Sequence, residues 1–188
     1  MIKKFIDKLL GKTPGGTRGS KKPSFGKREE VGADVHGINP ELVDRRASDV
    51  VHTLKQAGYE AYIVGGAVRD LLVGLRPKDF DVATNATPEQ VKGLFRRAFI
   101  IGRRFRIVHV VYGRGREHEV IEVSTFRAYL DNAAAEQVAG NEKTSKSELA
   151  GMQHAVDSTG RVLRDNVWGP MEEDAVRRDF TINAMYYD

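Results

Sequence analysis

Two residue patterns that could carry out chemistry lie close together in the chain. The first is the glycine pair Gly65 and Gly66, which follows the short apolar run 61–64 and precedes a helix-compatible stretch. Glycines at a strand-to-helix junction let the backbone approach an anion, and the N–H groups of a first helical turn favour phosphate. Arg69, one turn further on, could add a bidentate phosphate contact. A plain structural turn, with Arg69 paired to Asp70 or another carboxylate, explains the same residues.

The second pattern is the pair Asp79 and Asp81. In an extended strand, residues two apart project from the same face, so both carboxylates point one way and Phe80 and Val82 point towards a core. Two adjacent carboxylates repel each other unless water or a cation lies between them, and Mg²⁺ prefers such hard oxygen ligands. A solvated Asp-x-Asp turn is the alternative. A phosphate cradle beside a metal pair is what nucleotidyl transfer requires.

A third carboxylate, Glu122, lies in a later strand pattern. Ile121 and Val123 alternate with it, so Glu122 faces away from its apolar neighbours. It could complete the metal site from a neighbouring strand, and an exposed polar strand face explains it equally well. His109 lies in an apolar strand, where we expect a core or interface histidine and not a catalytic one.

Residues 90–116 form a basic segment with eight Lys/Arg and no acid. Arg103, Arg104 and Arg106 surround Phe105 within it. Basic groups interrupted by an aromatic ring suit a nucleotide or an RNA strand. A solvated helix end and hairpin is the alternative interpretation.

Composition indicates a soluble globular protein with one core. The chain has 188 residues, 40% of them hydrophobic, and no long apolar run. We therefore expect neither a transmembrane segment nor a secretory signal. The chain has no cysteine, which excludes disulfides and thiolate–metal sites and fits a cytoplasmic location. Five scattered histidines show no zinc spacing.

The positive charge belongs to the N-terminal arm. Residues 1–30 hold nine Lys/Arg and three acids, whereas residues 31–188 hold 21 and 23. Residues 1–10 have the spacing of a short basic amphipathic helix, or form a weakly packed terminus, and residues 11–32 lack the apolar side chains needed for order. We expect an arm over 1–38 that contacts RNA or an anionic membrane, followed by one domain over 39–188.

The elements that must position these residues follow from periodicity and turn signals. Pro40 and Gly58 bound a helical pattern, and Thr87 with Gln90 forms a capping box that opens a helix over 88–97. Further predictions are strands at 107–112, 118–125 and 161–163, a mobile loop at 127–158, and a helix over 171–188 that contains Asp179.

Four ordered motifs resemble the head of the bacterial poly(A) polymerase I family, within the nucleotidyltransferases that include the tRNA CCA-adding enzymes. They are residues 64–70 (VGGAVRD), 79–82 (DFDV), 122–127 (EVSTFR) and 177–183 (RRDFTIN). Residues 100–110 (IIGRRFRIVHV) resemble the segment that marks poly(A) polymerases apart from CCA-adding enzymes. The basic arm and residues 131–150 carry no family motif.

The resemblance implies an α+β nucleotidyltransferase head, with a small mixed or antiparallel sheet flanked by helices. It implies template-independent transfer of AMP from ATP to RNA 3′ ends by a two-metal mechanism, in a protein we expect to be monomeric. By this resemblance, Asp79 and Asp81 bind Mg²⁺, with Glu122 as a candidate third ligand. Gly65, Gly66 and Arg69 bind the triphosphate. Asp179 and Arg178 belong to the nucleotide site, Asp179 with a catalytic role.

The alternatives are a CCA-adding enzyme and a non-catalytic RNA-binding fragment. In the family, helical domains that select the base and grip RNA follow the head, so we expect this chain to correspond to the catalytic head alone.

Overall fold

A six-stranded mixed sheet with helices packed on it organises the chain. The computed structural model describes residues 28–102, 105–115, 117–129, 136–137, 154–156 and 162–188. The predicted helix at 1–10, the arm up to residue 27, Arg103, Arg104 and most of the predicted loop at 127–158 lie outside the described residues. The predicted α+β class with a small mixed sheet is confirmed.

The sheet has the strand order β3-β4-β5-β2-β1-β9, in which β2 and β5 are parallel and the other neighbours antiparallel. A second, three-stranded sheet has the order β6-β7-β8. The strands are β1 Ala61–Val64, β2 Asp81–Thr84, β3 Ala98–Ile101, β4 Ile107–Arg114, β5 Glu117–Thr125, β6 Glu136–Gln137, β7 His154–Val156, β8 Val162–Asp165 and β9 Tyr186–Tyr187.

The helices are α1 Ala33–His36, α2 Arg45–Gln56, α3 Gly66–Leu72, α4 Pro88–Leu94 and α5 Met171–Val176, with 3-10 turns at Pro40–Leu42 and Thr181–Asn183. The prediction of one helix from Pro40 is wrong at its start. The Asp44 side chain accepts a hydrogen bond from the Arg46 backbone N–H at 2.7 Å and caps α2 there. The short helix α1 was not predicted. Within the described residues, no helix combines the length and the apolar composition that crossing a bilayer requires.

The main core lies on one face of the sheet. The apolar residues of α2 recur at helical spacing and pack with α3, α4 and the inward side chains of β1, β2, β4 and β5. A smaller cluster of Val64, Ala83, Phe126 and Met171 covers part of the opposite face. The rest of that opposite face carries the polar residues described below, so we call it the site face.

Two sequence predictions in the middle of the chain require correction. The capping box at Thr87 and Gln90 is confirmed, but α4 ends at Leu94, because Phe95 is extended and β3 follows at Ala98. The strand β3 was not predicted. The strands predicted at 107–112, 118–125 and 161–163 are present as β4, β5 and β8, with shifted ends.

The C-terminal segment is not the single helix that was predicted. α5 ends at Val176, and Asp179 follows it in a non-helical stretch. β9 then pairs with β1, placing Tyr186 opposite Val64 and Tyr187 opposite Ile63. The backbone N–H and C=O groups of this segment form hydrogen bonds with the edge of the sheet, whereas in a helix they would bond to groups within the segment itself. Because the partner strand is distant in the sequence, the local pattern alone predicted a helix.

Candidate active site

The predicted strand, glycine turn and helix are confirmed at the end of β1. Gly65 has φ 75° and ψ −139°, a conformation that residues with a side chain rarely adopt. Its N–H donates to the Met185 carbonyl at 3.3 Å, which ties the turn to the chain entering β9. The turn therefore depends on glycine and on the C-terminal segment together.

Two guanidinium groups flank this turn. A Cβ placed on Gly65 would lie 3.6 Å from Arg178 Nη1, and one placed on Gly66 would lie 3.5 Å from Arg69 Nη2. Arg69 donates to Asp70 Oδ1 at 2.9 and 2.7 Å, which is the pairing foreseen as its structural alternative. With two cations beside a turn that exposes no side chain, this end of the site suits an anion.

Asp81 and Glu122 lie side by side on the site face. Asp81 opens β2 and is in register with Glu122 of the parallel strand β5, and residues opposite each other in neighbouring strands project from the same face. Phe80 and Val82 lie in the main core, as predicted. Asp79 precedes β2 and is exposed, so the strand begins two residues later than predicted.

The surroundings of Asp81 disfavour its negative charge. Burial raises the pKa of the Asp81 carboxyl above its ordinary value, the neighbouring charges of Glu122 and Asp79 raise it further, and the Arg178 guanidinium opposes the rise. A cation bound between the acids would reverse this effect. Carboxylate oxygens are the donor type that Mg²⁺ prefers, so Asp81 and Glu122 have the donor chemistry of ligands for that ion.

The proposed ligand set of Asp79, Asp81 and Glu122 stays a prediction. Among the residues that the structure describes, no three His, Cys, Asp or Glu side chains form a group that could hold a metal ion.

His109 extends the same row on the other side of Glu122. The two residues are in register between β4 and β5, and His109 Nε2 lies 3.3 Å from Glu122 Oε1. The His109 side chain is 28% exposed and that of Glu122 is 52% exposed. His109 therefore belongs to the site face and not to the core, and its contact with Glu122 was not predicted.

A buried network holds Arg178 in place. Asp174, which is 9% exposed, accepts from Tyr186 Oη at 2.7 Å, from Arg178 Nη2 at 3.3 Å and from the Arg127 N–H at 3.0 Å. Arg178 Nη1 also donates to the Asn183 carbonyl at 3.3 Å. Burial raises the pKa of the Tyr186 hydroxyl, and the Asp174 carboxylate raises it further, so Tyr186 remains a donor.

The spacing of Asp174 and Arg178, four residues apart, is the part of this network that a local sequence pattern carries. Tyr186 gave no local signal, because its role arises from pairing between strands that are distant in the sequence.

Asp179 is not among the charges that shift the pKa of Asp81. Its Oδ1 accepts from the Phe180 backbone N–H at 2.9 Å, and the side chain is exposed. The charges acting on Asp81 are those of Glu122, Arg178 and Asp79. The structure thus brings Arg178 to the carboxylates, and the catalytic role of Asp179 stays a prediction.

Carboxylates on a small mixed sheet, placed beside a glycine turn flanked by arginines, define a nucleotidyltransferase. The chain belongs to the poly A polymerase head domain family, whose profile matches residues 61–188.

The relatives refine this assignment. The chain is 49% identical over 154 residues to a poly(A) polymerase I from Salmonella typhi, covering 82% of this chain and 29% of that protein. It is 34% identical over 143 residues to a CCA-adding enzyme from Staphylococcus haemolyticus, covering 76% of this chain and 29% of that protein. The chain thus spans about 29% of the length of these relatives.

A solved structure shares the fold. The CCA-adding enzyme of Bacillus stearothermophilus, crystallised with CTP, matches with a TM-score of 0.50 and 31% sequence identity over 80% of this chain and 28% of that chain.

Proposed function

We propose that this chain is the catalytic head of an enzyme that adds AMP from ATP to RNA 3′ ends without a template. One observation carries the proposal: Asp81 and Glu122 lie side by side on neighbouring strands, next to the turn where Arg178 faces Gly65. The higher identity to a poly(A) polymerase than to a CCA-adding enzyme supports ATP as the nucleotide.

The carboxylates of Asp79 and Asp81 would hold Mg²⁺, with Glu122 as a candidate third ligand. When bound, Mg²⁺ would neutralise triphosphate charge and polarise the attacking RNA hydroxyl. Asp81 suits this role because the charges of Glu122 and Asp79 leave it short of a positive partner.

The chain's own cations and backbone would position the nucleotide. Arg178 would contact the triphosphate where it faces Gly65, with its guanidinium held by Asp174 and by the Asn183 carbonyl. Arg69 would contact the phosphates beside Gly66. In the transfer, the RNA 3′ oxygen bonds to the α-phosphorus of ATP, the bond from that phosphorus to the β-phosphate breaks, and pyrophosphate leaves. This step needs no covalent nucleophile, since catalysis rests on positioning and charge.

Primer extension tests the proposal. A full-length protein that contains this head is incubated with Mg²⁺, an oligo(A) primer and each nucleoside triphosphate in turn, and we expect extension with ATP alone. Asp81→Asn should abolish extension, whereas Asp49→Asn, on the exposed side of α2, should not change it. Addition of CTP as well as ATP, stopping after three nucleotides, would assign a CCA-adding enzyme.

Binding provides a second test that does not depend on turnover. We expect Mg²⁺-dependent binding of ATP, measured by calorimetry, that is lost in Asp81→Asn. RNA binding with no ATP binding would instead assign a non-catalytic RNA-binding fragment.

A further inference from the structure

One lateral row of the sheet runs from the carboxylates to β3, which is the end strand of the sheet among the described residues. Asp81 is in register with Glu122, Glu122 with His109, and His109 with Phe99. All four side chains therefore project from the site face. Since neighbouring strands lie about 4.8 Å apart, Phe99 is three strands and about 14 Å from Asp81.

The two directions along the sheet from Asp81 differ in how they are covered. Towards β1, Val64 is buried in a cluster with Phe126 and Met171. Towards β3, in the part of the chain that the structure describes, Phe99 and Ile101 are 53% and 42% exposed. An edge strand that exposes a phenylalanine and an isoleucine beside a polar site is a typical binding surface. We call Phe99, Ile101 and His109 the β3–β4 platform.

The geometry of phosphoryl transfer decides what can occupy this platform. The attacking and leaving oxygens lie roughly in line through the phosphorus. If the triphosphate lies at Gly65 and Arg178, on the β1 side of Asp81, the attacking hydroxyl approaches from the β5 side. The nucleotides that precede this hydroxyl then extend over β4 and β3.

The charge of the surrounding segment agrees with a polyanionic occupant. Both β3 and β4 lie within residues 90–116, which contain eight Lys/Arg and no acid. Arg127, which follows β5, lies with its guanidinium carbon 4.7 Å from the ring centroid of Phe105. Phosphate contacts and stacking surfaces in combination are what single-stranded RNA requires.

We propose that the β3–β4 platform receives the 3′-terminal nucleotides of the acceptor RNA, with their bases stacked on Phe99 and His109. This inference rests on the proposed function, because the in-line argument needs the triphosphate at Gly65. Stacking accepts any base, so the platform positions the RNA end without selecting its sequence.

The test measures RNA binding and ATP binding separately in the same chain. Binding of a 5′-fluorescein oligo(A) is followed by anisotropy with Mg²⁺ present. We expect Phe99→Ala to weaken RNA binding about tenfold, since an aromatic stacking contact in single-strand binding is of that order. Phe99→Tyr keeps the ring and should bind within about twofold of the unchanged chain.

A matched control comes from another exposed apolar residue. Leu75, which is 59% exposed in the turn after α3, should tolerate Leu75→Ala with no effect on RNA binding. Calorimetry should give the same Mg²⁺-dependent ATP binding for all three variants. If Phe99→Ala binds RNA as tightly as the unchanged chain and still binds ATP, the proposed role of the platform is overturned and the proposed function is not. If the unchanged chain does not bind ATP, the proposed function is overturned.

A second measurement uses the unchanged chain and does not depend on a variant folding. An oligo(A) with 2-aminopurine at its 3′ end should lose fluorescence on binding, because stacking on aromatic groups quenches it. The same probe at the 5′ end should change little, and equal quenching at both ends would overturn the proposal. A concentration-dependent dimer that Phe99→Ala abolishes would assign the platform to a second copy of the chain and likewise overturn it.

Discussion

Replacing Asp81 by asparagine should make the fold more stable while it removes the proposed activity. In the folded chain Asp81 is an exposed residue whose carboxyl is partly shielded from water, and it lies beside Glu122 in the neighbouring strand, so both effects oppose its negative charge. Like charges opposite each other in a sheet cost about 0.2–1 kcal/mol, and screening by water at this exposed position keeps the cost in the lower part of that range. We therefore expect Asp81→Asn to add about 0.5 kcal/mol of stability, which raises Tm by about 1–2 °C in a chain of this size.

The pH dependence follows from the direction of the pKa shift. The folded pKa of Asp81 lies above its ordinary value of 3.8. Below pH 3.8 the carboxyl is protonated in both states, so its charge costs the fold nothing. As the pH rises through the folded pKa, the unchanged chain loses stability that Asp81→Asn keeps. The difference in Tm between Asp81→Asn and the unchanged chain should be largest at neutral pH and should vanish below pH 3.8.

Thermal unfolding followed by circular dichroism, without divalent cations, measures this difference across the pH range. Asp49→Asn is the control, because Asp49 is exposed on α2 away from the site face. Adding Mg²⁺ should raise the Tm of the unchanged chain and leave that of Asp81→Asn unchanged. A Tm for Asp81→Asn at or below that of the unchanged chain at neutral pH would refute the electrostatic reasoning.

Two further predictions concern stability, each measured by thermal unfolding. Gly102→Ala should destabilise by at least about 1–3 kcal/mol, because φ is 89° and a Cβ would lie 2.0 Å from the Phe105 carbonyl oxygen. A Cβ on Gly93, in α4, would have no atom within 4 Å, so Gly93→Ala should leave the stability unchanged or add about 0.5–1 kcal/mol. Equal changes in stability for Gly102→Ala and Gly93→Ala would contradict this prediction. Asp174→Asn should cost about 3 kcal/mol, since Arg178 loses its buried carboxylate partner, and an unchanged Tm would disprove that account.

Local patterns were enough where an element depends on its own residues. The apolar run before Gly65, the capping box at Thr87 and Gln90 and the alternation around Glu122 each correspond to the element predicted from them. Prediction failed where pairing with a distant strand decided the outcome. β3 was not predicted, and β9 was taken for part of a helix, because their partners β4 and β1 lie elsewhere in the sequence.

The sequence by itself determined which residue types are available for chemistry, a glycine turn that can approach an anion and acids that can bind a cation, since residue type and close spacing set these properties locally. Only the tertiary structure decided which of them meet. The parallel pairing of β2 with β5 places Glu122 beside Asp81, and the return of the chain through β9 brings Arg178 to Gly65. Such contacts depend on strand register and packing, which are properties of the whole sheet and not of any one segment.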